Sequence, residues 1–165
     1  MKKKTTWQEK LVDNKKGLPK VERFDKKKGK NWPAGTYVIP APIEVDAIMK
    51  KVPKDKLITI NEIRQILAKK HKADFGCPIT TGIFSWIAAN AADEAEKEGK
   101  KRITPYWRTL KTGGILNEKY PGGLANLKKR LKAEGYTVIP KGRSKHFMVK
   151  DFEKTLVNVD KIKLY

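Results

Sequence analysis

The chain has 165 residues, 38 of them Lys or Arg against 18 Asp or Glu, which gives a formal charge of +20 and a pI near 10. A single cysteine, Cys77, excludes an internal disulfide, and with only His71 and His146 beside it no metal site and no cofactor are expected. No apolar run approaches the roughly 18 residues of a membrane span, no signal-peptide core opens the chain, and the cation excess favours a polyanion, nucleic acid first.

Residues 1–36 read as a basic, partly disordered extension. Between Met1 and Lys30 stand eleven Lys and one Arg against four acids, a composition too poor in apolar residues to repay the entropy of ordering by itself. Trp7, Trp32 and Tyr37 are expected to pin it to the rest of the chain. Residues 37–135 carry the helical periodicity. Val45, Ile48, Met49 and Val52 mark a short helix over about 43–51. Thr59 and Glu62 form a capping box that opens a second helix, with Ile60, Ile63, Ile66 and Leu67 at helical spacing. Cys77-Pro78 opens a third, long helix, since proline suits the first turn. Its buried stripe is read as Ile79, Ile83, Trp86 and Ile87, with Thr80, Thr81, Ser85 and Ala88 on the outer side. Leu124, Leu127 and Leu131 give a further helix ending at Glu134-Gly135. Residues 136–165 alternate with period two and read as a C-terminal β-hairpin, with Leu156–Tyr165 as another strand or a loose end. The expected fold is mainly α with small β-hairpins, an α+β winged helix-turn-helix domain whose third helix presents its N-terminal side chains to a DNA groove.

The stretch Ile103–Gly135 carries the most specific pattern. Pro105-Tyr106-Trp107-Arg108 precedes the Gly113-Gly114 turn, and Tyr120-Pro121-Gly122-Gly123-Leu124 opens a helix that ends at Glu134-Gly135. This resembles the DNA-binding domain of the alkylguanine-DNA alkyltransferases and alkyltransferase-like proteins over roughly residues 40–135. Their acceptor lies in a Pro-Cys-His-Arg motif, of which Pro105 and Arg108 match while Tyr106 and Trp107 replace Cys and His. Alkyl transfer needs a thiolate and a base. A phenol of pKa near 10 is a poor nucleophile for it, and an indole has no acceptor. The resemblance therefore implies a protein that binds alkylated DNA without repairing it, like the branch that has lost its cysteine and recruits repair proteins.

On that resemblance the lesion pocket would comprise Tyr106, Trp107, Arg108, Tyr120, Gly122, Gly123 and Glu134. The DNA-binding set would comprise Thr80, Thr81, Ser85, Asn90, Arg108 and Lys111. Ile60 stands where the family has its nucleotide-rotating Tyr, and Thr81 where it has its Arg finger. Packing of Tyr106 and Trp107 in the core is the competing expectation. The partner is double-stranded DNA, alkylated in the favoured reading, bound by a cytoplasmic, nucleoid-associated monomer. A generic winged-helix regulator is the alternative, and a divergent methyltransferase acting through Cys77 is a second one.

Overall fold

The computed structural model describes residues 2–25 and 31–162. The lysine run 26–30 and the last residues of the expected terminal strand or loose end, 163–165, lie outside the described residues. The fold is α+β, built on a core to which helices contribute more than sheets.

Helix α1 (Trp7–Val12) is opened by Thr6 and Glu9 in a capping box. Strands β1 (Lys20–Phe24), β2 (Gly35–Ile39) and β4 (Phe75–Gly76) make one sheet in the order β1-β2-β4. The first pair is antiparallel, and the second is parallel with Tyr37 opposite Phe75. Helix α2 (Pro42–Lys50) starts on proline and buries Val45, Ile48 and Met49. Strand β3 (Ile58–Thr59) runs directly into helix α3 (Ile60–His71). The expected capping box is present: Asn61 N–H donates to Thr59 Oγ1 at 3.2 Å, and Thr59 N–H donates to Glu62 at 2.8 Å. Ile63, Ile66 and Leu67 are buried from this helix.

Helix α4 (Pro78–Lys97) begins where proline and Cys77 place it, but its phase is the reverse of the expected one. Thr81, Ser85, Ala88, Ala89, Ala92 and Ala95 face the core, while Ile79 and Ile83 are 52% and 47% exposed. The reason is steric. A stripe of small side chains lets the helix backbone approach its neighbours closely, and the bulky residues at the same period are turned outward. Thr81 and Ser85 then satisfy their hydroxyls inside, donating to Cys77 O at 2.6 Å and Gly82 O at 2.8 Å.

A single 3₁₀ turn (Tyr106–Arg108) leads into strand β5 (Thr109–Leu110), which pairs in parallel with β3. Helix α5 (Gly123–Ala133) buries Leu127 and Leu131. Gly122 precedes it at φ +75°, where an added Cβ would lie 2.5 Å from Asn126 Cβ. Strands β6 (Val138–Pro140) and β7 (Phe147–Val149) form the expected hairpin. The segment after it holds 3₁₀ turns at Phe152–Thr155 and Val159–Lys161, with one bridge from Leu156 to Leu57, where another strand or a loose end was expected.

The described part of 1–36 is more ordered than its composition suggests. Trp7 meets Trp86 edge to face at 4.7 Å, and the Glu94 carboxylate accepts the backbone N–H groups of Trp7 and Gln8 at 3.1 and 3.2 Å. Glu94 thereby satisfies donors that a helix start leaves unpaired. Trp32 packs between Phe24, Tyr37 and Phe75. The aromatics do pin the extension, and they pin it to α4 and to the sheet.

Candidate nucleic-acid interface

The inverted phase of α4 leaves an apolar surface that the rest of the fold does not cover. Ile79, Ile83 and Trp86 face Ile60 and Arg64 of α3 and the segment Lys111–Lys119, enclosing an open cavity of about 710 Å³. Trp86 is fixed as its wall: the indole Nε1 donates to Lys119 O at 3.1 Å, and Trp7 backs the ring from the other side. Ile115 closes the opposite wall. Its strand-like segment is held by Lys111 N–H to Ile115 O at 2.8 Å and by Leu116 N–H to Phe147 O at 2.9 Å.

The cations of this site come from three places in the sequence. Lys111 and Lys119 are exposed on the loop side. Arg64 reaches in from α3, its Nε donating to Gly76 O at 2.8 Å and its Nη1 to Asn61 Oδ1 at 3.4 Å. Gly76 lets β4 lie this close to α3, since a Cβ there would meet the Arg64 backbone O at 2.8 Å. Burial lowers the Arg64 pKa from its ordinary value, but an arginine stays protonated in proteins. Arg64 thus supplies a cation beside the N-terminal turns of α4, although no Arg or Lys lies on α4 between Pro78 and Asn90.

Most of the residues expected in the lesion pocket lie elsewhere. Tyr106 is fully buried, with its ring edge-on to Trp107 and Tyr120 and its hydroxyl accepting from Asn126 Nδ2 at 2.9 Å. Tyr120 is 2% exposed and donates to Ser85 Oγ at 3.0 Å. Burial pushes the Tyr120 phenol up to about 12 and raises that of Tyr106 as well. Both rings fill the core, so neither lines the cavity. Trp107 is half-buried beneath the Arg130 guanidinium, 4.6 Å from its ring centroid. Arg108 is consumed by Glu134: Nη2 to Oε1 is 2.6 Å, Nε to Oε2 is 2.9 Å, and Nη1 donates to Val52 O at 2.7 Å. The pair ties the 3₁₀ turn to the ends of α5 and α2 and leaves neither charge facing solvent. The Gly123 N–H donates to Tyr120 O at 3.0 Å and so closes a turn, while Gly122 is exposed outside the cavity.

The expected DNA-binding set divides in the same way. Thr81 and Ser85 are buried and correct the outward placement given to them above. Thr80 is half-buried, its N–H pointing to Cys77 Sγ at 3.5 Å, and Asn90 Nδ2 donates to Trp86 O at 2.9 Å within its own helix. Lys111 alone of that set borders the cavity. Ile79, Ile83 and Arg64 were missed. The signal available for the isoleucines was the run of small residues on the other face of α4, which marks a closely packed side as surely as large ones do.

No family model matches the chain, and no curated protein matches it. Among solved structures, S. pombe Atl1 in complex with damaged DNA containing O6-carboxymethylguanine is similar at 17% sequence identity, over 71% of this chain and 94% of that one, with a TM-score of 0.46.

Proposed function

We propose that this chain is a non-enzymatic, alkyltransferase-like DNA-binding protein that senses alkylated guanine in double-stranded DNA. The observation that carries the reading is the cavity between α3 and α4, apolar on its walls and cationic on its rim. A base turned out of a duplex needs an aromatic or apolar enclosure and neutralised flanking phosphates. Trp86, Ile79, Ile83 and Ile115 provide the first, and Arg64, Lys111 and Lys119 the second. The pair α3–α4 acts as the helix-turn-helix of a winged-helix domain, with the N-terminal turns of α4 at the duplex.

Chemistry on the base has no support among these side chains. Tyr106 is buried with a raised pKa, Trp107 offers no acceptor, and Cys77 is 4% exposed as the N-cap of α4. A sensor that cannot repair requires a repair protein downstream, so such a partner belongs to this reading, as does a cytoplasmic, nucleoid-associated place of action.

The test is an anisotropy titration with paired duplexes, one carrying an O6-alkylguanine and one undamaged. Tighter binding of the damaged duplex, weakening steeply with salt, is the expected result. Equal affinities would favour a generic winged-helix binder, a second reading supported by Ile60 at the family's nucleotide-rotating position and by the burial of Tyr106 and Tyr120. Intact-mass measurement after incubation with alkylated DNA is expected to show no gain on Cys77.

A further inference from the structure

Resting on that reading of the cavity, we infer that the turn of the C-terminal hairpin is a second DNA-binding element, an arm that grips backbone phosphates beside the cavity mouth. Lys141, Arg143 and Lys145 are all exposed on the turn between β6 and β7. The turn is internally bonded and so holds a defined shape. Lys141 N–H donates to His146 O at 2.9 Å, and Ser144 gives Lys141 O both its N–H at 3.1 Å and its hydroxyl at 2.7 Å. None of these three cations has an ion-pair partner among the described residues.

The hairpin is also joined to the cavity. Val149 N–H donates to Gly114 O at 3.1 Å, and Ile115, a cavity wall, bridges to Met148. Lys141 Nζ lies 3.5 Å from where a Cβ on Gly113 would stand, so the turn abuts the segment that carries Lys111. On the α5 side, Lys128 Nζ sits 3.5 Å from the centroid of the Phe147 ring and fixes β7. A rigid, unneutralised cationic turn continuous with a cationic rim matches the regular negative charge of a duplex flank.

The experiment compares salt dependence of duplex binding for the wild type and the triple variant Lys141→Gln, Arg143→Gln, Lys145→Gln. These side chains make no fold-bearing contact, so melting should be unchanged. Losing three phosphate contacts should lower the slope of log K against log salt by up to about 2.7 and weaken binding roughly a hundredfold at 0.15 M salt. The ratio of affinities for damaged and undamaged duplex should stay the same. A charge-matched control, Lys97→Gln, Lys100→Gln and Lys101→Gln at and just past the C-terminal end of α4, roughly 27 Å along the helix from Ile79, should keep the wild-type slope. An unchanged slope in the hairpin variant, an equal fall in the control, or loss of lesion discrimination would each overturn the arm while wild-type binding stands. A wild-type chain without salt-dependent duplex affinity would instead overturn the reading of the cavity, and the arm with it.

Discussion

Tyr120 and Ser85 are hydrogen-bonded to each other at 3.0 Å inside the core, although their sequence contexts assign one to a lesion pocket and the other to a DNA-facing helix. Ser85 Oγ donates its own hydrogen bond to Gly82 O, so the tyrosine hydroxyl is the donor into a short buried chain of hydrogen bonds. Tyr120→Phe should therefore cost about 1–3 kcal/mol of stability, because it leaves the serine oxygen without its donor. Urea denaturation measures the loss, and duplex affinity should not change. A fall in lesion discrimination without loss of stability would return Tyr120 to the site.

The same tyrosine sets an alkaline limit. Its phenol titrates near 10 when unfolded and at about 12 when buried, so the folded state holds its proton longer. Stability from this source is intact below pH 10 and is lost as pH rises through that window, by about 2–3 kcal/mol in all. Tyr106 is raised in the same direction and adds to the loss. Tyrosinate absorbance followed during alkaline titration should show these two rings ionising late and together with unfolding.

Arg108 and Glu134 join the 3₁₀ turn to the end of α5 by two parallel bonds, with side chains 14% and 8% exposed. Glu134→Gln would leave a largely buried guanidinium unpaired and should cost about 3 kcal/mol. Replacing both residues by apolar ones of similar volume should cost less than the single change. A denaturation series across the two variants checks the ordering.

Ile79 and Ile83 make the opposite forecast. Half-exposed, they contribute little to stability, and changing both to Ala should shift it by no more than about 1 kcal/mol. Apolar contact with a bound base would be lost, lowering affinity for alkylated duplex roughly tenfold. Undamaged duplex should bind nearly as before. Titrations with both duplexes decide it.

Helices α2 and α3 were legible because local rules suffice for them: apolar spacing whose large residues are the buried ones, and for α3 the Thr59–Glu62 capping box. For α4 the period was legible and the phase was not. Its two stripes repeat alike, and only the closeness of neighbouring elements decides that Ala88 and Ala92 go in while Ile79 and Ile83 stay out. Within the Pro105–Arg108 and Tyr120–Leu124 motifs, Tyr106 and Tyr120 fill the core and Arg108 pairs with Glu134. The bonds that absorb them join residues 26 and 35 positions apart, beyond what any window of sequence reveals. Arg64 was hidden for a similar reason, since its guanidinium is anchored on Gly76 O, 12 positions away.

The extension before residue 36 lends β2 a neighbour along the whole of Lys20–Phe24 and lends Trp86 a backing ring. Shortening the chain to its helical unit would strip a row of peptide groups of their partners and bare an indole at once. The sheet would then end on the apolar β2 instead of the charged, exposed β1, so a trimmed protein should aggregate more readily than the untrimmed one, as light scattering would show. What its composition makes read as loose thus sets a charged strand, Lys20–Phe24, at the rim of the sheet.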